Sequence, residues 1–150
     1  MITYRQALMT DVPVLVSLER SIFPIDPWSV AQFKEEIGQH GKTRHYLVAE
    51  YDDAIIAYAG VMVVLDGEPA DILTVAVIPE FRGQGIARHM LRSLEDFAIT
   101  HSAPTAMLEV RKENFEAIAL YESEGYENIA ERQDYYGPGI DAIVMRKELE

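Results

Sequence analysis

Cysteine is absent from the 150 residues, which removes disulfides, thiolate metal sites and a cysteine nucleophile together. No apolar run reaches the length needed to span a bilayer. The opening Met1-Ile2-Thr3-Tyr4-Arg5 lacks the charged-then-apolar layout of a secretory leader, so a soluble, cytoplasmic protein is expected. Positive charge is scarce: 13 Lys and Arg face 25 Asp and Glu, for a formal net charge of -12. With no segregated basic run, such a surface repels phosphate backbones, so neither nucleic acid nor membrane is expected as a partner. The carboxylates either steer cationic partners or simply keep the chain soluble.

Several signatures of chemistry are missing as well. There is no G-x-x-x-x-G-K-[ST] loop and no G-x-S-x-G elbow. The dinucleotide fingerprint fails because Arg88 stands where its third glycine belongs. His40, His45, His89 and His101 show no ligand spacing, and no metal is expected.

What remains is a globular composition, 49% hydrophobic and 25% charged, at a length that suits one domain over residues 1–150. Ile2 to Ala7 reads as a first strand. Thr10 and Asp11 offer a cap to a helix with Pro13 in its first turn and Leu15, Leu18 and Ile22 on one face. Ser29 with Gln32 forms a capping box, and Trp28 with Phe33 forms a hydrophobic staple, for a second helix ending near Ile37. Strands at Tyr46–Tyr51 and Ala54–Leu65 join through Asp52-Asp53, a hairpin signal. After the turn Asp66-Gly67-Glu68-Pro69, Ile72 to Ile78 is apolar enough for a central strand.

Ile86, Met90, Leu94 and Phe97 space a third helix, and Met107 to Val110 another strand. Asn114 caps a fourth helix that Gly125 ends. Tyr126–Arg132 and Ala142–Arg146 close the chain as strands around Gly137-Pro138-Gly139. Mixed hairpins and crossovers predict an α/β (α+β) fold: a mixed, mostly antiparallel sheet of about seven strands flanked by four helices.

The most informative stretch runs from Val75 to Arg88, VAVIPEFRGQGIAR. A β-branched strand stops at a proline, a loop with two glycines follows, and a helix begins. Glycine lets backbone approach a ligand, and the first amides of a helix have no partner within it. With the helix dipole, these amides predict a cradle for a phosphate or pyrophosphate. Arg82 and Arg88 are expected to add mobile positive charge. The alternative is a simple turn with solvated arginines.

Arg82-Gly83-Gln84-Gly85-Ile86-Ala87 resembles the R/Q-x-x-G-x-G/A signature of the GCN-five-related N-acetyltransferases, the GNAT family, and the element order fits over nearly the whole chain. The resemblance implies acetyl-CoA as co-substrate. It also implies that amides from Gly83 through Arg88 hold the pyrophosphate, and that Val75, Ala76 and Val77 offer backbone to the pantetheine arm. A second block is similar to the RimI-type ribosomal-protein alanine acetyltransferases of that family: Leu108-Glu109-Val110-Arg111, Asn114, Ala117, Leu120-Tyr121 and Gly125-Tyr126. It implies Glu109 as general base, Tyr121 as the acid for the departing thiolate, and Asn114 as a cofactor contact. The competing readings are a surface carboxylate, a packed aromatic and an ordinary cap.

Asn114 and Tyr121, seven residues apart, can share a helix face. The tail with Tyr135, Tyr136 and Asp141-Ala142 resembles N-terminal protein acetyltransferases, whose paired tyrosines line the substrate. Ile140 stands where relatives often carry an acid. Trp28 either borders the peptide or packs the core, and Tyr135 and Tyr136 either contact substrate or simply edge a loop. An oxyanion donor is required, and the resemblance assigns it to the Val77 amide.

An α-amine has a pKa of roughly 7.7–8.0 and lysine about 10.4, so neutralising lysine costs about 3.4 kcal/mol more. One carboxylate base therefore suits a protein N-terminus. The RimI-type resemblance implies the alanine of small-subunit ribosomal protein eighteen as the target, and the lack of cysteine fits direct transfer in a ternary complex. The alternatives are a small-molecule amine acetyltransferase (polyamine, amino acid or aminoglycoside) and a non-catalytic acetyl-CoA-binding module.

Overall fold

The computed structural model describes residues 1–149. Seven strands form one sheet in the order β1-β2-β3-β4-β5-β7-β6. These are β1 (Thr3–Gln6), β2 (Arg44–Tyr51), β3 (Ala54–Met62), β4 (Ala70–Val77), β5 (Thr105–Arg111), β6 (Glu127–Arg132) and β7 (Ala142–Glu148). Every neighbouring pair is antiparallel except β4 and β5. Four α-helices cover the sheet: α1 (Val12–Ile22), α2 (Val30–Gly38), α3 (Ile86–Thr100) and α4 (Phe115–Ser123).

Strand alternation sorts the core into two layers. On one face Val12, Leu15, Val16, Phe33 and Ile37 of α1 and α2 bury against Tyr46, Val48, Tyr58 and Ala76. On the other, Ile86, Met90, Leu91 and Leu94 of α3 and Tyr121 of α4 bury against Ile72, Val77, Leu108 and Val110. The expected stripe of α3 is therefore the face that seals the sheet, with Phe97 half-buried at its margin.

Local signals act as anticipated in most places. Asp52 and Asp53 take positive φ (53° and 64°) in a two-residue hairpin loop. Ser29 accepts from the Gln32 amide at 3.2 Å while Gln32 reaches back to the Ser29 amide at 2.8 Å, and the Trp28 and Phe33 rings meet at 5.2 Å. Gly125, at φ 97°, follows α4 with its amide on Glu122 and the Tyr126 amide on Tyr121, the Schellman ending.

Other expectations need correcting. Asp11 makes no cap bond to α1, because its carboxylate accepts the Leu8 amide at 2.7 Å and the Arg5 guanidinium at 2.8 and 2.9 Å. A bidentate charged partner outcompetes a neutral amide. The strand expected to reach Leu65 ends at Met62, with Val64 and Leu65 exposed. β4 begins at Ala70 rather than Ile72, which brings Asp71 into the sheet.

Gly60 matters for a different reason from the loop glycines. It faces Tyr46 across β2 and β3, and a Cβ there would lie 2.2 Å from the tyrosine ring. That ring is buried, edge-on to Trp28, and its hydroxyl donates to Glu36 at 3.0 Å, so it cannot swing away. Gly60→Ala is expected to fall at the upper end of the roughly 1–3 kcal/mol cost of overpacking. A urea titration would show this as a lower midpoint with an unchanged slope.

Candidate active site

The parallel pairing creates the site. β4 and β5 are in register at Ala70 with Ala106 and at Asp71 with Met107, and then separate. From Ile72 onward β4 has a neighbour on the β3 side alone. Ile78 donates to Ile56, and Ala76 and Thr74 lie opposite Tyr58 and Gly60. Antiparallel pairing sends alternate residues' polar groups to opposite edges. The amides and carbonyls of Val75 and Val77 therefore point into the gap that β5 has left.

At the end of that gap sits the glycine loop. A short 3-10 turn, Pro79–Phe81, leads out of β4, and Gly85 caps α3 with φ 81°. Among the described residues, none of the amides from Gly83 to Arg88 finds an acceptor in the chain; the first helical bond is His89 to the Gly85 carbonyl. A Cβ added at Gly83 or Gly85 would meet no atom within 4 Å, so packing does not require glycine there. Backbone conformation does: both have φ near 80°, where side chains are strained. The result is a row of unfilled donors on the positive end of a helix dipole, which suits a diphosphate.

The two arginines, expected to be mobile and free, each have partners within the chain. Arg82 Nε donates to the Val77 carbonyl at 2.9 Å, strapping the loop back onto β4. That leaves the Val77 amide, but not its carbonyl, for anything entering the gap. Arg88 pairs with Glu124 and donates to Ser123 at 3.0 Å, tying the start of α3 to the end of α4. Glu124 holds Arg92 as well, and the two guanidinium groups keep its carboxyl below the usual range. A carboxylate with two nearby cations outcompetes solvent for them.

Glu109 and Tyr121 approach the gap from opposite faces of the sheet. In β5, Leu108 and Val110 belong to the α3 layer, so Glu109 points to the α1–α2 side, where it is half-buried. Tyr121 belongs to the α3 layer, its ring edge-on to Tyr126 at 5.8 Å. Burial pushes its hydroxyl up to about 12, so it stays protonated at neutral pH. Tyr135 donates to Glu109 Oε1 at 3.3 Å and carries Arg132 over its ring. Tyr136 packs edge-on against Tyr135 at 4.9 Å. Burial raises its hydroxyl pKa, with Tyr135 and the charge of Glu109 adding to the shift and Arg111 opposing it.

A family description, "Acetyltransferase (GNAT) family", matches residues 12–126. The chain belongs to the GNAT acetyltransferases. It is therefore an N-acetyltransferase with acetyl-CoA as co-substrate, and the gap with its row of free amides fits that molecule. The chain is 37% identical over 139 residues to the [Ribosomal protein bS18]-alanine N-acetyltransferase of Salmonella typhimurium, covering 91% of this chain and 90% of that protein. An uncharacterized protein of Mycobacterium leprae is 38% identical over 144 residues; the match covers 93% of this chain but 39% of that longer protein. The crystal structure of the ribosomal-protein-S18-alanine N-acetyltransferase from Escherichia coli superposes with a TM-score of 0.87 at 31% identity, covering 100% of this chain and 95% of that one.

Within this acetyltransferase, Asn114 serves as the cap of α4, its Oδ1 accepting from the Ala117 amide at 3.2 Å, which leaves its amide nitrogen free. Trp28 lies in the α1–α2 connection. Its ring packs on Phe33 and Tyr46, and its amide donates to Glu19 at 3.0 Å. Sequence reasoning passed over Glu19 because it lies on the apolar stripe of α1. It is buried, accepts from the Tyr58 hydroxyl at 2.5 Å, and anchors the α1–α2 connection through the Trp28 amide. Burial, and then the charge of Asp26, raise its carboxyl pKa, while its two hydrogen bonds oppose the shift. Glu19→Ala strands both donors and should destabilise by about 3 kcal/mol, whereas Glu19→Gln keeps one acceptor and should cost less than half as much. Thermal unfolding of the two variants side by side measures the difference.

Proposed function

We infer that this acetyltransferase moves the acetyl group of acetyl-CoA onto a protein N-terminal α-amine, and that its natural target is the amino-terminal alanine of small-subunit ribosomal protein eighteen. Relatives of near-full-length similarity that bear that activity in their names support the reading. The observation that carries the chemistry is the parting of β4 and β5, with a carboxylate on one face of the gap and a protonated phenol on the other.

In this reading Gly83 to Arg88 hold the pyrophosphate through their amides. The Val77 amide faces the pantetheine arm, whereas Ala76, expected from the sequence to do the same, turns its polar groups to β3; Arg82 keeps the loop in place, and Asn114 contacts the cofactor from α4. Acetyl-CoA, when bound, supplies an acetyl thioester within the gap. Glu109 accepts a proton from the incoming ammonium, directly or through water, and frees its lone pair. The Val75 amide, the gap-facing donor nearest Glu109 along β4, donates to the carbonyl oxygen as charge builds on it; Val77, assigned this role from the sequence, lies two residues further from the acids. Tyr121 protonates the departing sulfur. Trp28, Tyr135 and Tyr136 border the peptide. The lack of cysteine to carry the acetyl group supports direct transfer, in a ternary complex.

A thiol-release assay decides the substrate class. An Ala-starting peptide should be acetylated faster than spermidine, an aminoglycoside, or a lysine side chain in the same peptide. Faster turnover of spermidine or the aminoglycoside would identify a small-molecule enzyme, and cofactor binding with no turnover of any amine a non-catalytic module.

A further inference from the structure

Asp71 is a carboxylate that the proposed chemistry has not used. It occupies the last rung shared by β4 and β5, opposite Met107. Partners in a parallel ladder project to the same face, and Glu109, two residues beyond Met107, projects there too. The alternation agrees: Ala70, Ile72, Leu108 and Val110 are buried in the α3 layer, whereas Asp71, Met107 and Glu109 are half-buried on the α1–α2 side. One strand spacing and two residues of rise separate the two acids, roughly 8 Å between backbones, so one small cation can be reached by both side chains.

Neither carboxylate has a cationic partner among the described residues. Asp71 makes no hydrogen bond or ion pair with a side chain, and Glu109 receives only the Tyr135 hydroxyl. Burial raises the Asp71 carboxyl above its ordinary value, and the charge of Glu109 raises it further. Two half-buried acids of like charge at the mouth of a gap are unfavourable unless a cation joins them.

We propose that Asp71 is a positioning residue that receives the substrate's α-ammonium and holds it against Glu109. This rests on the amine site inferred above. The ammonium enters with its positive charge, hydrogen-bonds to Asp71, and gives one proton to Glu109; the neutral amine then attacks while Asp71 remains ionised. Asp71 thereby selects for a free, charged terminus over a blocked or neutral one.

The test compares wild type, Asp71→Asn and Asp71→Glu in two ways. Binding to the CoA-loaded protein is measured for an Ala-starting peptide and for the same peptide starting with lactate, in which hydroxyl replaces ammonium. Steady-state kinetics are measured on whichever amine the wild type turns over. Wild type should favour the ammonium peptide by about 10–100-fold, and Asp71→Asn should lose most of that preference. KM for the amine should rise by a similar factor, with KM for acetyl-CoA unchanged and kcat within about threefold; Asp71→Glu should restore part of the preference. An Asn variant that keeps wild-type discrimination and amine KM overturns the role of Asp71. Preference of the wild type for spermidine sinks the N-terminal reading instead, and leaves Asp71 measurable on spermidine. A wild type that binds no amine overturns both.

Discussion

Glu109→Gln should lower kcat by about 10²–10⁴-fold while acetyl-CoA binds as before. The substitution keeps the shape and removes the proton acceptor. It leaves the free amides from Gly83 to Arg88 intact, because Glu109 reaches the gap from β5 and the loop lies beyond the far end of β4. The Tyr135 hydroxyl retains a carbonyl oxygen to donate to, so the β6–β7 loop should stay in place. Steady-state kinetics with titration calorimetry of acetyl-CoA separate the two effects. A kcat within about threefold of wild type would move the base elsewhere, with Asp71 the first candidate.

Gly85→Val is expected to weaken acetyl-CoA binding by roughly 100-fold and to change the melting temperature little. At φ 81° a side chain costs roughly 1–2 kcal/mol, and a β-branched one more. The cheapest escape is for the loop to leave that conformation, which turns its amides away from a common focus. Open space around Gly85 means that no packing is lost, so folding is spared while binding is not. Gly85→Ala should lie between, near tenfold, as a single side chain in the left-handed region costs about 1.4 kcal/mol. Calorimetry on the three proteins reads the series directly; equal affinities would show that the diphosphate binds elsewhere.

The helix signals are legible in the sequence because they are local. Ser29 and Gln32 cap α2 within four residues of chain, and Tyr121, Glu122, Gly125 and Tyr126 close α4 within six. The glycine loop is legible for the same reason, since left-handed residues and a helix start are both short-range features. The arginines are not, because their partners are remote or belong to the backbone. Nothing near Arg88 in sequence points to Glu124, 36 residues on, and the Val77 carbonyl that holds Arg82 has no side-chain signature. Asp11 reads as a cap only until Arg5, brought close by β1, competes for its carboxylate. Asp71 falls just outside the strand expected from Ile72, since an acid before an apolar run looks like its boundary.

Residue order alone settled the kinds of element, the caps of α2 and α4, the glycine conformations and the family, because propensity, periodicity and spaced motifs act over a few residues or one helical turn. Folding in three dimensions settled where β4 and β5 part, and with that which acids share a face and which backbone amides stay free. Those outcomes depend on register between strands more than thirty residues apart, as in the pairing of Asp71 with Met107, and such pairing is set by the packing of both helical layers on the sheet.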